Sequence, residues 1–457
     1  MARLVFLFLF LAILLSSWAL GQTEQRTEPA ADSMVFPGER RFKNVKMLTF
    51  EGQNVRAYFS LDESRLILQS TSGRYQCNQI FTMNVDGSDL KLVSTEKGKA
   101  ICPYFFPDGK KIIYASTHGA DPACPPKPDF SNVWQVNSSF DLYVANADGT
   151  DAKPFLPSPG YDAEAAISPK GDRLVFTSQR NGDLDLYTVN LDGHDLQQLT
   201  TDLGYEGGAS FSWDGSQIVY YSYHPTTPEA TKRYRNLLSE GLIESVGFQI
   251  MVMNADGSNK RQITRNGFTN FAPFYHPDNK RIIFCSNIGD TDPRHPDFNL
   301  WMISDDGSGL EQITFFNQFD GSPMFTRDGK KLVLVSSRFN RRLRDTNIFV
   351  ADWVEANLYG KAAEVNSPGS PNDQPAAGGS VERGKRVFQT QCSLCHKISE
   401  ESSVGPGLKG ILRGPSFPTT SEAAKYLKLV LQGLPGMPKI PLAEDEMNDL
   451  LAYLRTL

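Results

Sequence analysis

Cys392-Ser-Leu-Cys395-His396 sets two thiols three residues apart and an imidazole directly after the second. Thiols at that spacing can each add to one vinyl group of a single porphyrin. The adjoining imidazole is then placed to bind the iron. Cys-x-x-Cys alone would also suit zinc or disulfide exchange, and the histidine that follows points to one covalently attached haem c. An iron held by a fixed histidine changes valence without changing partners, so the chemistry is electron transfer or redox catalysis. The second axial ligand is expected from Met437 in Gly433-Leu-Pro-Gly-Met437-Pro438, where glycines and prolines fix an irregular backbone. A thioether favours ferrous iron and raises the potential relative to stronger donors. Met447 lies inside a helical pattern over 444–457 and reads as core filling.

Three elements must position these groups. Residues 381–388 read as an amphipathic helix leading into the cysteines, and 446–454 as a closing helix with one apolar face. Between them, Gly405-Pro406-Gly-Leu408 is a tight turn. A carbonyl there, that of Pro406 included, is placed to accept the Nδ1–H of His396 and fix the imidazole's tautomer and orientation. With these motifs residues 381–457 resemble a compact class I cytochrome c, a small all-α domain. The resemblance implies that first and last helices cross at Gly384 against the region of Tyr453. It also implies that His396 and Met437 are the axial ligands. The segment is short for that family, which implies trimmed loops over the lower haem edge.

The chain has 457 residues, more than one domain by ordinary size. Its 46 basic and 52 acidic side chains leave a net charge of −6, which argues against a nucleic-acid binder. Met1-Ala-Arg3, an apolar run over 4–15 and Ser16-Ser-Trp-Ala19-Leu-Gly21 read as a signal peptide over 1–21. The run is short for a membrane span. The expectation is therefore a periplasmic or otherwise exported bacterial protein without a span after cleavage, or one tethered by an uncleaved signal. In an oxidising compartment a disulfide among Cys77, Cys102, Cys124 and Cys285 is expected. Cys102–Cys124 is the preferred pairing, since it would tie down a long insertion within one repeat; Cys77–Cys102 and free thiols are the alternatives.

Residues 43–353 repeat one unit six times. Each has an aromatic or Ile followed three residues later by a turn acid or its equivalent, then a β-run ending in Ser. The turn positions are Asp62, Asp108, Lys170, Asp214, Asp278 and Asp328, spaced 46, 62, 44, 64 and 50 residues apart. Five units continue into an Asp-Gly hairpin, at Asp86, Asp148, Asp192, Asp256 and Asp306. Four short antiparallel strands per unit make a propeller blade. The sixth unit lacks a fourth strand, and an orphan strand over 44–49 resembles fourth strands elsewhere. The expectation is an all-β six-bladed propeller over 43–360, its last blade closed by the N-terminal strand so that no edge stays open. These repeats resemble the TolB-type propeller, which implies a fold but no single activity. Residues 361–380, rich in Pro, Gly, Ala, Ser and Asn, read as a flexible linker.

Both tight turns of each blade face one end of the ring, so the longer connections face the other; one of these carries a helical pattern over 229–242. Fixed offsets within the repeat place Asp162, Glu206 and Asp320 around that mouth, near His118, Arg180, His224 and Arg338. The ring reads either as a polar ligand, peptide or metal site, with His118, His224 and His295 as conceivable ligands, or as strand-end groups that pair with one another. The sequence thus points to an exported electron carrier. A redox partner protein is expected, and a protein or polar ligand on the propeller. The alternatives are a propeller-based oxidoreductase with a second cofactor, and an interaction scaffold with haem as sensor. A hydrolase is not expected, since the sequence carries no Gly-x-Ser-x-Gly elbow or α/β-hydrolase segment.

Overall fold

Each turn acid accepts a hydrogen bond from the backbone N–H two residues on, as Asp108 does from Lys110, Asp278 from Lys280 and Asp328 from Lys330. That local bond reverses the chain between the first and second strands of a blade. The Asp-Gly hairpins work in the same way between third and fourth strands: Asp86 takes the N–H of Ser88 and Asp256 that of Ser258. Their glycines sit at φ between +83° and +90°, where a side chain is strained. A Cβ on Gly149 would also approach the carbonyl oxygen of Val93 to 2.6 Å.

The structure, a computed structural model, describes residues 34–126, 132–290, 296–340, 342, 344–355, and 385, 388, 450, 453 and 454. Five blades are consecutive in sequence. They open with the strands Asn54–Phe59, Ala100–Phe105, Asp162–Ile167, Tyr205–Phe211 and Asn270–Tyr275, and each continues outward through three more antiparallel strands. The sixth consists of Asp320–Phe325, Lys331–Ser336 and Asn347–Trp353, and its outer strand is Phe42–Met47 from the other end of the chain. Closure by the N-terminal strand is as expected, two residues earlier than the sequence pattern placed it.

Second and third strands are apolar on both faces because each blade is sandwiched between two others. Ile67, Ile80, Ile112 and Tyr114, fully buried between blades 1 and 2, are typical. Each such aliphatic side chain contributes about 1.5–3 kcal/mol. The first strands differ, since all six carry a register shift just after their start. The residues there, Arg56, Cys102, Glu164, Gly208, Ala272 and Ser322, have φ between +49° and +60°. A bulge of this kind bends the strand, and it recurs at one position of each blade around the central channel.

Residues 34–41 extend the ring closure beyond the expected boundary. Glu39 and Met34 are buried against blade 6 through Arg338, and Arg41 pairs with Glu311 at 2.6 Å. Two insertions stand over the long-loop end. The helix α1, Pro228–Ser239, is capped by Thr227, whose hydroxyl accepts the N–H of Ala230. It ends three residues earlier than the pattern over 229–242 suggested, because Gly241 turns left-handed at φ +70°. Leu242–Glu244 then forms a strand that pairs antiparallel with Val133–Gln135 of the other insertion, Ile243 opposite Trp134. This two-stranded cover joins blades 2 and 4 across blade 3.

The disulfide is Cys77–Cys124, not Cys102–Cys124, with Cα atoms 5.9 Å apart. Cys102 occupies the bulge of its first strand and faces the channel, out of reach of Cys124, and is a buried free thiol. Cys77 lies in the loop entering the third strand of blade 1, beside the blade 2 insertion. The bridge therefore ties that insertion to its neighbour rather than to its own blade. The expected signal peptide over 1–21 and linker over 361–380 lie outside the described residues. Among the described residues no helix is long and apolar enough to cross a membrane.

Candidate functional site

The long-loop end holds the seven propeller residues singled out by offset, and six of them pair within blades. Arg180 meets Asp162 at 3.2 Å and Arg338 meets Asp320 at 2.8 Å. His224 Nε2 lies 3.2 Å from Glu206, and its Nδ1 lies 3.2 Å from the carbonyl oxygen of Leu203. A carbonyl only accepts, so Nδ1 carries a proton. Burial, then Asp185, Asp183 and Asp202, push Glu206 up to about 9. A Glu206 carboxyl that keeps its proton can donate to His224 Nε2. His118 faces no acid at the equivalent position of its blade, which is Ala100. Its Nδ1 lies 2.8 Å from Ser116 Oγ, and its ring packs against that of Tyr143 at a tilt of 39°, centroids 4.1 Å apart. His295 lies outside the described residues. Among the described residues no group of three or more His, Cys, Asp or Glu side chains is arranged to hold a metal ion.

None of these seven residues lines the channel. A cavity of about 650 Å³ opens there instead, under the two-stranded cover. Its floor is made by the bulge residues. Arg56 of blade 1 reaches across blade 2 to Glu164 of blade 3 at 2.7 Å. Glu164 also accepts from Tyr205 Oη and from the N–H of Gly208, both at 2.8 Å. Burial raises Glu164, but Arg56, Gly208 and Tyr205 outweigh it and hold the carboxyl below its ordinary value. A half-buried guanidinium and a buried carboxylate thus stand charged at the centre of the ring. Cys102 lies between them in blade order, and burial pushes its thiol up to about 11, which leaves it protonated and unreactive.

Sequence reasoning missed this floor, although the signal was within reach. The ring at eight residues before each turn position gives the paired acids; the ring at six before gives Arg56, Cys102, Glu164, Gly208, Ala272 and Ser322. Alternation along a regular strand would put both rings on one face. The bulge changes that, turning the later ring toward the axis while the earlier one stays buried against the loops.

Of the C-terminal segment, Phe388 and Tyr453 stand in helical backbone with ring centroids 5.7 Å apart, and Leu450 and Leu454 are buried with them. First and last helices therefore meet. Cys392, Cys395, His396, Pro406 and Met437 lie outside the described residues, as does Gly384. The family model for cytochrome c matches residues 381–457. A cytochrome c-553-like protein of Synechocystis is 34% identical over 79 residues, 17% of this chain and 70% of that protein. Through residues 381–457, this chain belongs to the cytochrome c family. The donor set of the cytochrome c segment, two thiols, an imidazole and a thioether, fits the haem c that the family implies. The propeller to which this cytochrome c is fused resembles TolB structures. TolB from Agrobacterium tumefaciens has a TM-score of 0.43 at 19% identity, over 66% of this chain and 91% of that one. TolB from Acinetobacter baumannii gives 0.44 at 15%, over 58% and 56%. The blade count rests on the strand pairing itself.

Proposed function

We infer that this protein is an exported c-type cytochrome that carries single electrons on one covalent haem, and that its propeller binds a partner or ligand. The observation that carries this reading is Cys392-Ser-Leu-Cys395-His396 inside a segment of the cytochrome c family. When bound, the haem supplies one-electron chemistry at an iron whose ligands do not change. The chain's own part is to hold it. Cys392 and Cys395 would anchor the porphyrin, His396 and Met437 would supply donors to its iron, and the turn at Pro406 would orient His396. The residues packed around Phe388, Leu450, Tyr453 and Leu454 keep the two helices together, so the ligand-bearing loops start from a fixed frame.

The propeller offers a rigid ring with a preformed cavity, and small-molecule sites are commonly of this kind. The run over 4–15 and the small residues after it support export, as does the Cys77–Cys124 disulfide, which persists in oxidising compartments. Intact-mass and optical spectra of purified protein test the reading. One haem mass added to the chain, lost in a Cys392→Ser/Cys395→Ser double variant, is expected. A protein matured with the export and haem-attachment machinery that carries no covalent haem would sink it.

A further inference from the structure

An aromatic arc forms one side of the channel cavity. Trp134, Phe271, Phe298 and Phe319 line it in that order, with successive centroids 5.8, 5.2 and 6.3 Å apart. Successive ring planes are turned by 83°, 66° and 60°, so faces and edges alternate along the wall. Rings arranged in this way hold a flat guest by offset and edge contacts. All four are half-buried. Trp134 is in turn fixed by Phe248 at 5.2 Å and Tyr221 at 6.1 Å.

Two neutral amides on the wall are one-sided. Gln69 Oε1 accepts the N–H of Cys102, and Asn287 Oδ1 accepts that of Thr269, each at 2.8 Å. A backbone N–H only donates, which fixes both amides with their oxygens engaged and their NH2 groups still able to donate. Among the described residues neither NH2 group meets an acceptor, although Gln69 is only 7% exposed. A buried amide donor left unanswered by the protein is matched by an acceptor on a guest. The two donors also stand at different depths. Gln69 is the fifth residue of the strand Arg65–Ser70, whereas Asn287 follows the last of the six residues of Arg281–Ser286. Two strand positions, about 6–7 Å, therefore set Asn287 nearer the long-loop mouth than Gln69.

We propose that the channel cavity binds a flat aromatic compound of the quinone class. Its ring lies against the Trp134–Phe319 arc, and its two carbonyl oxygens accept from Gln69 at the deeper end and Asn287 at the shallower one. A volume of about 650 Å³ accommodates such a guest. The Arg56–Glu164 pair closes the floor, so the guest enters and leaves by the long-loop mouth. The proposal rests on the reading of the propeller as the binding half of the protein, and adds the chemical class.

Equilibrium dialysis of the purified full chain against 2,3-dimethyl-1,4-naphthoquinone tests it, with 2,3-dimethylnaphthalene as the same ring system without oxygens. The two methyl groups block addition of the free thiols to the quinone. The quinone is expected to bind at one site per chain. Asn287→Asp keeps the oxygen that takes the N–H of Thr269 but removes the NH2 group. It should weaken the quinone by about three- to tenfold, the worth of one neutral hydrogen bond, and leave the hydrocarbon unchanged. Gln69→Leu should do the same, and Trp134→Leu should weaken both guests. No binding of the quinone, unaltered quinone affinity in folded Asn287→Asp and Gln69→Leu proteins, or equal weakening of the hydrocarbon by Asn287→Asp would overturn the proposal. Haem spectra of the same samples separate the two readings. Full haem content without quinone binding removes this proposal alone, and quinone binding without covalent haem removes the electron-carrier reading alone.

Discussion

Arg338→Met is the sharpest test of how the ring is held closed. Arg338 is fully buried. It donates to Glu39 at 2.8 and 3.2 Å, to Asp320 at 2.8 Å, to Ser336 Oγ at 2.9 Å and to the carbonyl oxygen of Met34 at 3.1 Å. Its guanidinium also lies 5.0 Å from the ring of Phe36 and 5.9 Å from those of Phe316 and Phe349. Methionine can keep much of the aromatic contact but leaves two buried carboxylates without a counter-ion. Removing one partner of a buried ion pair costs about 3–5 kcal/mol. The loss should depend on pH. Burial already pushes Glu39 upward, against the pull of Arg338. Without Arg338 that opposition ends, so the folded protein holds Glu39 protonated to higher pH than the unfolded chain does. A carboxyl raised on folding contributes stability below its unfolded value and loses it as pH rises. The variant should therefore be most impaired at pH 7 and recover toward pH 5, by up to about 1.4 kcal/mol per pH unit for each carboxylate that takes up a proton. Urea unfolding followed by far-UV circular dichroism at the two pH values measures this. Adding Glu39→Gln and Asp320→Asn should restore most of the loss, since no buried charge would remain. A deficit under about 1 kcal/mol, or one equal at both pH values, would refute the reasoning.

Three further outcomes are expected. Met437→Ala should leave the haem attached but lower its reduction potential in spectroelectrochemical titration; the same drop in Met447→Ala instead would reassign the ligand. Cys124→Ala opens a loop whose ends are 47 residues apart in sequence. On the chain-entropy account the cost is about 4 kcal/mol, read as a shift in urea midpoint, whereas peptide mapping of the wild type should find Cys102 and Cys285 as thiols. Glu206, raised from 4.5 to about 9, makes the wild type lose stability as pH climbs through that window. Glu206→Gln should flatten the dependence of thermal midpoint on pH between 5 and 9, and a curve as steep as wild type would show that Glu206 is ionised throughout.

The blades were legible because their signals are local. An aspartate bonding the N–H two residues ahead, and an Asp-Gly pair between apolar runs, determine turns wherever they fall, and their recurrence counts the blades. The missing fourth strand of the last unit and the orphan strand at the start could be matched for the same reason. What the sequence did not reveal depends on contacts made at long range. Val133–Gln135 and Leu242–Glu244 are separated by the outer half of blade 2, all of blade 3 and the inner half of blade 4, and carry no mark of partnership. Cys77 and Cys102 look equally near Cys124 until the bulge sends Cys102 to the channel. Arg56 and Glu164 were passed over because a period-two reading cannot anticipate a bulge, although their offset from the turn was constant. Residues 34–41 have no strand pattern, and the burial of Met34 and Glu39 follows from Arg338, roughly 300 residues away.

The outer strand of blade 6 also has a consequence for the order of events during synthesis. Phe42–Met47 waits for Asn347–Trp353, a closure over roughly 300 residues. Blades 1 to 5 can form as they emerge, each from its own hairpins, but the ring stays an open crescent with an unpaired edge at either end. Contacts of such sequence separation form slowly. A chain interrupted anywhere before residue 347 keeps those edges and is exposed to pairing with other copies. The haem-attachment motif comes later still, at 392–396. Ring closure can therefore precede completion of the cytochrome c segment, and incomplete chains lack the haem motif.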